Sequence, residues 1–149
     1  MKYIFLLLLL ISTLIQAKEY KAVFDCSSKS SGYIVSRMFL VERTIDMIKK
    51  NGDSTKFAIT IHGGCAPIVS RNFDEIIMDS SDLENIQKAQ KELTKLANKK
   101  GVKVTVCAIS LNANTIEKED VLPFVRISEN SFIDTIAYQN DGYALMTFK

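Results

Sequence analysis

Apolar and polar positions alternate along this chain in a way that marks out its elements one by one. Residues 20 to 25, YKAVFD, read as a buried strand ending at Asp25 and Cys26. After the polar CSSKSSG, in which Ser30 or Ser31 is placed to cap a helix, Ile34, Met38, Val41, Ile45 and Ile48 recur at spacings of three and four. That spacing predicts an amphipathic helix from Tyr33 to Lys50, with Met38 in the core, Lys49 and Lys50 against its C-terminal dipole and Asn51-Gly52 as its stop. FAITI, residues 57 to 61, predicts a second strand running into HGGCAP, where two glycines and a proline predict a loop. A short helix is expected from Pro67 to Arg71, and EIIM (75 to 78) fits either type of element.

The next helix is clearer. Ser81 and Glu84 have capping-box spacing, and Leu83, Ile86, Leu93, Leu96 and Ala97 form its apolar stripe. VKVTVC is the third strand, and Phe124 to Ile127 a short fourth. Residues 131 to 139 form a helix with Phe132, Ile136 and Ile133 expected inward, and YALMTF is a fifth strand. Strands alternating with helices through short loops predict βαβ units. The expected fold is α/β: one doubly wound domain with a mainly parallel five-stranded sheet and helices on both faces. Right-handed crossovers then bring every strand's C-terminal end to one edge.

The N-terminus changes the picture. MKYIFLLLLLISTLIQA combines one basic residue, an apolar run from Tyr3 to Ile15 and a small residue at Ala17, the layout of a secretory signal peptide over residues 1–17. Thirteen apolar residues would cross only about two-thirds of a hydrocarbon core. Ile15 stands where a smaller residue usually precedes the cut, which leaves an uncleaved anchor as the alternative. The expectation is export to the periplasm as residues 18–149, with no membrane attachment after cleavage. Without Lys2 the 19 basic residues become 18 against 17 acidic, a formal charge of +1. That balance, with no basic run carrying interleaved aromatics, argues against a nucleic-acid partner.

Three cysteines are few for a disulfide scaffold and odd in number for an oxidising compartment. Cys26 follows the first strand, His62 and Cys65 follow the second, and Cys107 closes the third, so all four fall on the edge where open α/β sheets bind ligands. Taken alone, Cys107 fits a small core hydrophobe. A helical turn starting at AISLN would instead set its sulfur before unsatisfied N–H groups, which lower a thiol's pKa. His62-x-x-Cys65 has the spacing of a metal-ligand pair, and Cys26 and Cys107 would complete a set for zinc or copper. A Cys26–Cys65 disulfide is the other reading, with Cys107 then the free thiol. His62 fits equally a histidine bonded to a loop carbonyl. The chain lacks G-x-G-x-x-G after the first strand, a P-loop and a G-x-S-x-G elbow, so no nucleotide or other cofactor is implied. The serine cluster lacks a second histidine as base, and Asp25 and Asp120 show no pairing in the sequence.

GVKVTVCAISLNANTI, EDVLPFVRI and AYQNDGYALM together resemble the DsrE/DsrF-like family, also called the YchN-like fold. The most specific parts are the G-V-x-V-x-V-C strand and the closing Q-x-x-G-Y of Gln139, Gly142 and Tyr143. The resemblance implies a compact α/β subunit that assembles into trimers or hexamers. It also implies that Cys107 accepts sulfur from a donor protein as a persulfide and passes it to an acceptor, and only Cys107 is carried over on this basis. Cys65 as a resolving thiol, and binding roles for His62 and Cys26, are expectations from the residues. The alternative is a non-catalytic module holding a soft metal or small ligand through Cys26, His62, Cys65 and Cys107.

Overall fold

A computed structural model describes residues 17–148. The expected leader therefore lies, up to residue 16, outside the described residues. Among the described residues no helix is long and apolar enough to cross a membrane.

Five strands form one sheet: β1 (Glu19–Cys26), β2 (Ser54–Ile61), β3 (Val102–Cys107), β4 (Arg126–Ser128) and β5 (Ala144–Phe148). Their order is β4-β3-β2-β1-β5 and every pairing is parallel. Alternation assigns the faces. Ala22, Phe24, Cys26, Phe57, Ile59, Ile61, Val104 and Val106 point to one side and share a core with two helices. Those are α1 (Ser31–Lys50), through Ile34, Met38, Val41 and Ile45, and a long helix running Ser80–Ala97, through Ile86, Ala89, Leu93 and Leu96.

Between β2 and that long helix lie a 3-10 turn (Gly63–Val69) and a short helix, α2 (Phe73–Ile76), which makes the long helix α3. HGGCAP is thus the start of a 3-10 turn rather than an open loop, and the helix expected at Pro67 begins four residues earlier. The cap of α3 also differs from expectation. Asp79 accepts from the backbone N–H groups of Ser81 and Asp82, so the helix starts at Ser80 and Ser81 lies inside it. A carboxylate is the stronger acceptor for those orphan donors and takes the capping role from the hydroxyl. Ser30 caps α1 through the Tyr33 N–H.

The second sheet face carries Val23, Asp25, Ala58, Thr60, Thr105 and Cys107. One helix covers it: α5 (Ser131–Asn140), after α4 (Ala108–Ala113), crosses β3, β2 and β1 to reach β5. Here the expected orientation is reversed. Phe132, Ile133 and Ile136 are 67%, 64% and 58% exposed, while Ser131, Asp134, Thr135 and Tyr138 face the sheet. Both stripes recur at spacings of three and four, so periodicity alone does not choose between them. The sheet chooses, because its second face is polar. Tyr138 lies beside Thr105, and Asp134 pairs with Arg126 of β4.

Candidate functional site

The route of the chain sets the site. From β1 through β4 the connections stay on the core face, as Leu111, Ile116, Val121 and Val125 of the β3–β4 connection show. After β4 the chain leaves for the opposite face through α5. The crevice of an open sheet lies where successive connections diverge, here between β3 and β4. Cys107 closes β3 at this point, paired in register with Ser128.

Two helices therefore begin on either side of one sulfur. Cys107 is itself the N-cap residue of α4, in extended conformation, and α5 begins at Ser131. Cys107 is 4% exposed, and that burial raises its pKa. Opposing it, the backbone N–H groups of Ser131, Ser110 and Ile109 and the Ser110 hydroxyl lie close enough to the sulfur to stabilise its charged form. The donors win, and the thiol's pKa falls below its ordinary value. Ser110 is held in turn: its oxygen accepts the Gly63 N–H at 2.9 Å, leaving its hydrogen for the thiolate. Asn114 donates to the Gly63 carbonyl at 3.0 Å and ties the turn to α4.

His62 stands beside this group. Ile61 is in register with Val106, and His62 keeps extended geometry (φ −151°, ψ 179°), so alternation brings it next to Cys107 on the second face. On the same face, Asp25 Oδ1 lies 3.0 Å from His62 Nε2 and accepts from Thr60 Oγ1, also at 3.0 Å. The His62 and Asp25 side chains are only 20% and 19% exposed. The hydrogen bond to Asp25 raises the His62 pKa, burial opposes this, and the charges of Asp25 and Cys107 raise it further, for a net increase. With its Nε2 hydrogen donated to Asp25, neutral His62 keeps a lone pair on Nδ1. Asp25, His62 and Cys107 thus lie on one sheet face at the ends of three neighbouring strands, with a hydrogen bond joining the first two.

Cys26 and Cys65 are elsewhere. Their sulfurs form a disulfide, fully buried on the core face, with Cα atoms 5.8 Å apart. Two close approaches allow it. His62 N–H donates to the Cys26 carbonyl at 2.9 Å, and a Cβ on Gly64 would lie 2.2 Å from Lys29 Cγ, so only glycine lets the two loops meet. The four residues grouped on one edge by the sequence thus separate into a pair and a pair. His62 and Cys107 converge on the second face, whereas Cys26 and Cys65 bond to each other behind the sheet. With its sulfur in that bond, Cys65 is not a resolving thiol, and the soft-metal set loses two ligands. Among the described residues no group of three or more His, Cys, Asp and Glu is arranged to hold a metal ion.

The sequence reading did not identify Asp25, Ser110 or Ser131 as part of this site. A signal for Asp25 existed: it has the strand parity opposite to Ala22 and Phe24, which puts it on the face of Thr60 and Cys107 once register is known. Ser110 and Ser131 act mainly through their position at helix starts, and their separation of 21 residues hides that relation.

Comparison with known proteins agrees with the fold. The model of the DsrE/DsrF-like family matches residues 21–148. A protein of Aquifex aeolicus (strain VF5), described as uncharacterized, is 33% identical over 144 residues, 97% of this chain and 63% of that protein. The chain therefore spans a little under two-thirds of that relative's length. A solved protein of unknown function from Methanobacterium thermoautotrophicum superposes with a TM-score of 0.66 at 14% identity, over 86% of this chain and 98% of its own.

Proposed function

The chain belongs to the DsrE/DsrF-like family, and on that premise we propose that it handles sulfane sulfur, with Cys107 as the atom that carries it. The observation that supports this reading is the sulfur's position between two helix starts, receiving N–H groups from Ser131, Ser110 and Ile109 and the Ser110 hydroxyl. Those donors stabilise a thiolate, the form that attacks sulfur. The same cradle suits a persulfide anion. The reaction needs no outside oxidant: the thiolate attacks the outer sulfur of a donor R–S–SH, one S–S bond forms as another breaks, and RS⁻ leaves.

The proposal extends to location and assembly. Disulfides persist in oxidising compartments, and a buried Cys26–Cys65 bond supports export to the periplasm, in line with the leader pattern at residues 1–17. Phe132, Ile133 and Ile136 on α5, with Leu145 and Met146 on the edge strand β5, supply apolar surface that a trimer or hexamer would cover.

Intact-protein mass spectrometry tests the central claim. After exposure to a sulfane donor the wild type gains about 32 Da, one sulfur atom on the thiolate, reversed by a thiol reductant. Cys107→Ser gains nothing. An adduct that persists in Cys107→Ser removes the reading.

A further inference from the structure

We infer that His62, held by Asp25, is the general acid of this site, protonating the thiolate that leaves when Cys107 takes sulfur from its donor. The inference rests on the sulfur-carrying reading of Cys107 and goes beyond it.

Geometry comes first. Asp25, His62 and Cys107 come from three adjacent strands and share one sheet face, with the 3.0 Å bond between Asp25 and His62 fixing the imidazole. The edge-on Phe132 ring, its centroid 6.3 Å from that of His62, limits the other side of the imidazole. Through Nε2 the ring is committed to Asp25, so Nδ1 is the atom left for the reacting sulfur. The other titratable groups under α5 lie lower on the sheet: Asp134 paired with Arg126, and the neutral Tyr138 beside Thr105. They leave His62 and Asp25 as the titrating neighbours of Cys107. The field of the Cys107 thiolate raises the His62 pKa, and such coupling is reciprocal, so His62 in its charged form favours the thiolate.

The proton has a use in the reaction. When Cys107–S⁻ attacks R–S–SH, the products are Cys107–S–SH and RS⁻, a basic thiolate leaving into a largely buried site. Imidazolium at position 62 protonates it to RSH. The new persulfide is more acidic than a thiol and returns its proton to His62, leaving Cys107–S–S⁻ beside imidazolium, so protons and charge close over the cycle. Sulfite, the group that thiosulfate would release, is less basic than an alkyl thiolate and depends less on such a proton.

The test uses His62→Gln, with Asp25→Asn as the positioning variant and Asp25→Glu as its rescue, each checked for folding by circular dichroism. Cys107 alkylation by iodoacetamide is followed against pH, and sulfur uptake is followed from cysteine persulfide and from thiosulfate. Losing an opposite charge within a few ångströms shifts a pKa by about one unit or more, so the alkylation midpoint of His62→Gln rises by about that much. At pH 7 the thiolate fraction then falls about tenfold, partly offset by the greater nucleophilicity of a more basic thiolate, for a net loss of about threefold. Persulfide uptake also loses its acid, and falls roughly 100-fold. Asp25→Asn shifts both in the same direction by less, and Asp25→Glu restores them. In His62→Gln, uptake from thiosulfate, whose leaving group is less basic, falls mainly by the roughly threefold thiolate effect.

An unshifted alkylation midpoint, or unchanged persulfide uptake, in folded His62→Gln overturns the acid role. Equal losses of uptake from the two donors in that variant overturn it as well. A wild type that takes sulfur from neither removes the sulfur-carrying reading, whereas the alkylation profile decides the thiolate–imidazolium pair by itself. If Gln at position 62 does not fold, His62→Asn carries the same readouts.

Discussion

Reducing the Cys26–Cys65 bond perturbs the protein at one place behind the site, and its cost follows from loop length. The two cysteines are 39 residues apart and close a loop containing α1 and β2. Cross-linking a loop of that size removes about 13 cal/mol/K from the unfolded chain, or about 4 kcal/mol at 25 °C. For a domain of roughly 130 residues the unfolding entropy is about 280 cal/mol/K, so the oxidised form should melt about 14 °C above the reduced one. The assay is thermal and urea unfolding at neutral pH with and without a phosphine reductant, beside thiol titration in denaturant. The oxidised protein should show one reactive thiol, Cys107, and the reduced protein three. Because the constraint acts on the unfolded chain, the urea m-value should rise on reduction as that chain expands. Three thiols before reduction would refute the bond. A melting difference under about 5 °C with the bond shown intact would refute the loop-entropy account.

The remaining predictions concern the thiol's donors and the outer surface of α5. Ser110→Ala removes the hydroxyl between the Gly63 N–H and the sulfur, and a charge-assisted bond of about 1.5 kcal/mol corresponds to about one pKa unit. The thiolate's ultraviolet absorbance should therefore titrate about one unit higher than in the wild type, and an unchanged midpoint would show that the backbone N–H groups suffice. Phe132→Lys and Ile136→Lys lie at exposed positions, where substitutions in an isolated chain change stability by no more than about 0.5 kcal/mol. In the proposed oligomer they should reduce the mass measured by light scattering to that of one chain. A wild type that is monomeric over the whole concentration range would sink that part of the proposal.

The fold was legible because it depends on local patterns. Alternation in FAITI and VKVTVC and the spacing of Ile34, Met38, Val41 and Ile45 each report one element. The βαβ rules then supply parallel order, which the sheet bears out in all its pairings. The orientation of α5 was not legible. Its sequence offers two stripes at helical spacing, and the usual rule sends the apolar one inward. That rule assumes an apolar surface to receive it. The face carrying Asp25, Thr60, Thr105 and Cys107 is instead polar along its upper half, and only the register of three strands reveals this. The Asp25–His62 pair was hidden for the same reason: its partners are 37 residues apart and meet only across β1 and β2.

The placement of the three cysteines follows from strand parity. Cys26 pairs in register with Ile61, whose side chain enters the core, while Cys107 follows Val106 and so points the other way. A bridge from Cys107 to Cys26 would have to pass through the sheet, which disulfide geometry does not permit without moving the backbone, and Cys65 is already joined to Cys26. An oxidising compartment can therefore close Cys26–Cys65 without consuming Cys107 within the same chain. The two features are also joined mechanically. Cys65 N–H donates to the His62 carbonyl at 3.1 Å, so the bond that anchors Cys65 fixes the turn carrying His62 and Gly63. Gly63 then holds Ser110, and Ser110 holds the sulfur. A buried disulfide on one face thus fixes the donors of a free thiol on the other, which is how a chain with three cysteines can keep one of them reactive where the other two are oxidised.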